Sequence, residues 1–120
     1  MIKLYHSKYN SYFEVSQNHF SQKMTWLEAV DLCKTLEGNW RLPTLEEFQI
    51  MYGYFEQNQN VEISDEQYWS IDLVSNYESE QLLRMIGLAI VFDLKLGISI
   101  PWGASVTDKK PVILVSTIDH

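Results

Sequence analysis

Two copies of one short pattern, Thr25-x-x-Glu28 and Thr44-x-x-Glu47, constrain this chain more than anything else in it. Each has the form of a capping box. The threonine hydroxyl accepts from the backbone amide three residues on, while the glutamate reaches back to the threonine amide, so two orphan donors at a helix start are satisfied together. After the first box, Trp26, Ala29, Val30 and Cys33 fall at i, i+3, i+4 and i+7, one apolar stripe of an amphipathic helix that Glu37 would continue at i+11. Gly38-Asn39 takes a left-handed conformation at low cost and predicts the stop. After the second box, Leu45, Phe48, Met51, Tyr52 and Phe55 repeat the helical spacing, with Gly53 near the end and the polar run 56–60 as an exposed loop. Two helices separated by a few residues are therefore expected.

Elsewhere the apolar period shortens to that of strands. Residues 1–23 hold Leu4, Tyr5, Tyr12, Phe13 and Val15 in bursts broken by Ser7, Asn10, Ser11 and Asn18, which predicts one or two short strands with turns. Strand character resumes at Tyr68-Trp69. Residues 70–85 have no clean period, and Leu82, Leu83 and Ile86 suit either a short helical turn or an irregular loop. From residue 88 to 100 every even position is apolar, with Asp93, Lys95 and Ser99 on the other face. Such a run is too long for one usual strand, so a hairpin turning at residues 95–97 is expected. Pro101-Trp102-Gly103 and residues 107–110 read as loops before a final strand over 111–117. The sum is an α+β chain.

With 120 residues there is room for one domain, spanning 1–120, and a 46% hydrophobic content supplies its core. A formal net charge of −7 excludes the usual nonspecific nucleic-acid binder, which relies on clustered Lys and Arg, so no direct nucleic-acid contact is expected. The scattered acids read as a solubilising surface; a basic protein partner, or mimicry of nucleic acid, is the sharper alternative. Cys33 is the single cysteine, which forbids an internal disulfide and suits a reducing compartment. The first residues do not have the form of a signal peptide, and the longest apolar run, 86–92, is far short of the roughly 20 residues that span a bilayer. A cytoplasmic protein without membrane contact is expected.

The string Met24-Thr25-Trp26-Leu27-Glu28-Ala29 with Cys33, then residues 39–48 around Trp40-Arg41-Leu42-Pro43-Thr44, resembles the bacterial Lcl-type C-terminal domain. Tyr68-Trp69-Ser70, Val91-Phe92-Asp93 before Gly97 and a closing strand from Val112 follow in that family's order. The local motif is also similar to the formylglycine-generating enzyme superfamily. This resemblance implies a C-type-lectin-like fold in which two helices pack on a small twisted antiparallel sheet and the termini meet. It makes Trp26, Trp40, Arg41, Leu42, Pro43, Tyr68 and Trp69 a structural motif. Physically, Arg41 can cover an aromatic ring or bridge a helix-end carboxylate, Leu42 can plug the core, and Pro43 fixes the entry to the second helix.

Chemistry is poorly supported, so the expectation is a non-enzyme without cofactor or metal. Formylglycine-generating enzymes use a cysteine pair, whereas Cys33 stands alone on an apolar stripe as a small buried hydrophobe. His6, His19 and His120 share no ligand spacing. Glu46 and Glu47 point about 100° apart on a helix and read as solvated helix-start acids, and the acids around Asp65-Glu66 offer too few oxygens for calcium. The Glu-Pro-Asn, Gln-Pro-Asp and Trp-Asn-Asp strings of sugar-binding C-type lectins are missing, as is a Gly-x-Ser-x-Gly nucleophile turn. A binding surface on residues 70–87 and 97–110 is what remains. Its candidates are Trp102, an exposed anchor or a lid on the core edge, with Asp72, Tyr77, Arg84, Asp108 and Lys109. The expected function is protein–protein recognition, with self-association compatible, as in a small accessory or phage-borne protein. The alternatives are a diverged formylglycine-generating-type enzyme or small-molecule sensor, and a secreted adhesin or glycan-binding lectin.

Overall fold

The computed structural model describes residues 2–16, 22–59 and 61–118; Asn18, His19, Asn60 and His120 lie outside them. The elements run β1 (Ile2–His6), β2 (Ser11–Val15), β3 (Lys23–Met24), α1 (Trp26–Thr35), α2 (Leu45–Gln57), β4 (Tyr68–Leu73), α3 (Glu80–Ile86), β5 (Leu88–Asp93), β6 (Ile98–Ser105), β7 (Lys110–Pro111) and β8 (Val115–Ile118). Both capping boxes form. Glu28 N–H donates to Thr25 Oγ1 at 3.2 Å and Thr25 N–H to Glu28 Oε1 at 2.9 Å, and the Thr44–Glu47 pair repeats both lengths. Helix α1 stops earlier than expected, capped by an extended Leu36, and Gly38 (φ 107°) and Asn39 (φ 57°) make the turn that follows. In α2 the helix continues through Gly53 to Gln57, because the Asn58 amide still closes on the Tyr54 and Phe55 carbonyls.

One small sheet was expected, and the described residues instead form three antiparallel sheets, ordered β1-β2-β8, β3-β7 and β4-β5-β6. The first and last strands thus flank β2 in one sheet, with Ile2 and Val115 both opposite Val15. In the sheet β4-β5-β6, strands β4 and β5 are covered on both faces. In β4, Tyr68 enters a cluster with Phe13, Phe48, Met51 and Phe55, while the adjacent Trp69 enters another with Trp26, Ala29 and Leu42. In β5, Phe92 joins the first cluster and Val91 the second, as neighbours on a strand must when they face opposite ways. Register pairs Tyr68 with Phe92 and Trp69 with Val91, so each layer is continuous across the sheet.

The expected final strand is split. Residues 112–114 lie outside a strand, between β7 and β8, yet Val112, Ile113, Leu114 and Val115 are all fully buried. Ile113 and Val115 belong to the first cluster and Val112 and Leu114 to the second, so this extended segment separates the two cores and contributes to both. The hairpin turn falls where expected, between β5 and β6. Asp93, however, is buried rather than solvent-facing, because its carboxylate accepts the Lys95 and Leu96 amides, both at 2.9 Å, and so closes the turn. Among the described residues no helix is long and apolar enough to cross a membrane.

Candidate functional site

The link between α1 and α2 is held on every side by the scaffold. Arg41 exchanges backbone hydrogen bonds with Val115 at 2.9 and 2.8 Å, Leu42 is fully buried, and the Pro43 carbonyl accepts the Ile71 amide at 2.9 Å. The Trp26 and Trp69 indoles donate to the Ser70 and Met24 carbonyls, each at 2.9 Å, which satisfies the one polar atom that burying an indole would strand. Trp40 packs half-buried on the second core. The Arg41 guanidinium meets Glu47 through two parallel bonds of 2.7 Å, so Glu47 is a buried ion-pair partner and not the solvated acid expected of it. Burial pushes the Glu47 carboxyl up, but the Arg41 and Thr44 bonds outweigh it and hold the group below the ordinary carboxylate range. Glu47 in turn raises Arg41. Cys33 is half-buried beside Trp40 and Leu42, and desolvation pushes its thiol up, away from the reactive thiolate.

The candidates after Trp69 separate into framework and surface. The Tyr77 hydroxyl accepts the Leu88 amide at 2.8 Å and fixes the start of β5. Asp72 lies half-buried in β4, and its amide donates to Ser70 Oγ. Arg84 is exposed on α3 and pairs with Glu80 one turn away at 2.9 Å. Asp108 and Lys109 form an exposed turn between β6 and β7, and Lys109 is close enough to Glu28 at the start of α1 to help lower its carboxyl. No cluster of three or more metal-ligating side chains occurs among the described residues.

Trp102 departs from the expected loop, since Pro101-Trp102-Gly103 lies inside β6. The register explains why strand periodicity missed it. Ala89 pairs with Ala104 and Val91 with Ile100, so the single residue Ile90 of β5 faces three residues of β6. This bulge sits on an edge strand and suits Pro101, which has no amide to donate. Gly103 adopts φ 73°, and a Cβ there would stand 2.6 Å from the Ala89 carbonyl oxygen and 2.7 Å from Val74 Cγ2. The bulge pushes Trp102 outward, leaving it 71% exposed. It is therefore no lid on the core edge.

Sequence reasoning missed the residues that accompany it. Among the described residues, every exposed large apolar side chain other than tyrosine lies between Val74 and Trp102: Val74, Leu82, Met85, Ile86, Leu96, Ile98 and Trp102. Met85 and Ile86 are 70% and 63% exposed, on a helix that buries none of its residues fully. Helix α3 adjoins the end of β6, since the Gly87 carbonyl accepts the Val106 amide at 3.1 Å, and Val74 borders the bulge at Gly103. The available signal was the four apolar residues Leu82, Leu83, Met85 and Ile86 in a segment with no core-facing period. Comparison with known proteins adds no relative. No protein-family model and no curated protein matches the chain.

Proposed function

We propose that this chain is a C-type-lectin-like domain of the Lcl C-terminal type that works without catalysis, as a cytoplasmic module binding another protein through β6 and α3. The fold part rests on the two capped helices, their Trp40-to-Thr44 link, and terminal strands that share a sheet. The cytoplasmic part rests on the lone thiol of Cys33. The functional part rests on one observation, the confinement, among the described residues, of exposed non-tyrosine large apolar side chains to residues 74–102. Exposed apolar groups gathered on adjoining elements mark interaction surfaces, and a tryptophan directed outward by a bulge is the residue type most often found as an interface anchor.

Affinity capture from the native cell, with the wild-type chain and Trp102→Ala as parallel baits, tests this reading. The expected result is a stoichiometric protein partner whose retention falls at least about tenfold with Trp102→Ala, the loss of one interface hot spot. Far-UV circular dichroism should be unchanged, because the indole is outside both cores. Equal retention by the variant removes Trp102 from the site. No partner, together with a monomer by light scattering at high concentration, removes the function.

A further inference from the structure

Far from β6 in the sequence, the β1–β2 hairpin, the start of α2 and the end of β8 enclose a cavity of about 290 Å³, lined by His6, Tyr9, Ser11, Arg41, Glu47 and Thr117. His6 is the last residue of β1, and the strand's alternation turns it inward, where it is 6% exposed. Neither ring nitrogen has a hydrogen-bond partner among the described residues. The nearest carboxylate oxygen, on Glu46, stands 3.7 Å from Nε2, and the Tyr9 ring lies against the imidazole with centroids 4.7 Å apart. Buried polar atoms left without a hydrogen bond cost about 1–3 kcal/mol each, so the arrangement calls for a partner.

The charges around the cavity specify what that partner is. Arg41 spends its terminal N–H groups on the two Glu47 oxygens, on Thr117 Oγ1 at 2.9 Å and on the Leu42 carbonyl at 3.4 Å. Glu47 is equally committed, since Oε1 also accepts the Thr44 amide. On the hairpin side, Lys8 pairs with Glu46 at 3.4 Å. Among the described residues around the cavity, an anion therefore finds no unpaired lysine or arginine, and a cation no unpaired carboxylate. The open hydrogen-bonding capacity lies on the two unpartnered His6 ring nitrogens and on the Thr117 hydroxyl, which already accepts from Arg41 and keeps a hydrogen to donate. Tyr9 and Phe13 supply aromatic wall. At about 30 Å³ per water, the volume suits a ligand of roughly ten heavy atoms.

We propose that this cavity binds a small neutral amide, whose N–H donates to His6 and whose carbonyl accepts from Thr117, with its apolar part against Tyr9 and Phe13. The site is independent of the β6 face. Benzamide, benzoate and benzamidinium have nearly one shape and three charges, and their titration into uniformly isotope-labelled protein tests it by NMR. Benzamide at millimolar concentration should shift the His6 ring and the Ser11 and Thr117 amides saturably, about tenfold more tightly than either ion, the worth of one well-made hydrogen bond. His6→Phe, or Thr117→Val should His6→Phe not fold, should weaken benzamide about tenfold, whereas Trp102→Ala should leave it unchanged. Equal binding of all three probes, unchanged binding by the His6 and Thr117 variants, or no saturable shift, as in a cavity that holds water only, overturns the proposal.

Discussion

Glu46 and Glu47 are adjacent acids with opposite fates: the Glu46 side chain is 54% exposed and that of Glu47 5%. Helical geometry explains why they diverge, but the helix pattern alone does not reveal what waits at its start. The sequence raised Arg41 as a partner for a helix-end carboxylate, and only the fold shows that Glu47 is that carboxylate, because the β8 contact at Val115 carries Arg41 into place. The consequence is a pH dependence. Since the folded Glu47 titrates below its unfolded value, its contribution is complete above the unfolded value of about 4.3 and is lost as pH falls through the folded one. The urea midpoint of the wild type should hold from neutrality to about pH 5 and then decline. Glu47→Gln should cost about 2–4 kcal/mol at neutral pH, somewhat under the figure for a fully buried pair because the outer part of Arg41 meets water. It should also flatten the acid decline, and Glu28, lowered by its Thr25 bonds, leaves some slope behind. An acid slope identical to wild type would mean that the pair does not govern this range.

At the scale of elements, legibility followed the strength of local signals. Helices α1 and α2 were readable because each start is closed by reciprocal side-chain bonds that leave a mark in the sequence. Thr44→Ala should therefore cost about 1 kcal/mol, read as a lower urea midpoint with unchanged slope. Helix α3 left no such mark. Ser79 caps it through the Leu82 amide at 3.1 Å, but its side chains bury no stripe, so no period betrayed it. Strand β6 was hidden for a different reason. Its bulge inserts residues that break the alternation, and Pro101 and Gly103, ordinarily loop residues, are what the bulge requires. Gly103→Ala tests this. Its Cβ would meet backbone at Ala89 while φ stays positive, and the expected cost is about 1–3 kcal/mol with hydrogen exchange accelerated along β5 and β6. Stability equal to wild type would show that the bulge can relax.

Across the whole molecule, the feature that the sequence left least visible is the division of the interior into two layers. Tyr68-Trp69, Val91-Phe92 and the run Val112 to Val115 look like plain hydrophobicity, since a strand buried on both faces carries no polar alternation to reveal which side is which. Once the faces are known, each pair divides between the clusters, and the backbone of β4, β5 and residues 112–115 is the common wall. A shared wall predicts that the layers cannot unfold separately. The chain can report on this itself, because Trp26 and Trp69 lie in the second cluster and Trp40 packs on it, whereas Trp102 is exposed and the first cluster has no tryptophan. Ile113→Ala, a cut in the first cluster, should cost about 2–5 kcal/mol and lower the midpoint seen by tryptophan fluorescence as much as that seen by far-UV circular dichroism. If fluorescence keeps its wild-type midpoint while circular dichroism moves, the wall does not couple the two cores. Coincident shifts mean that the β6 and α3 face and the His6 cavity, though built on different sheets, belong to one cooperative unit.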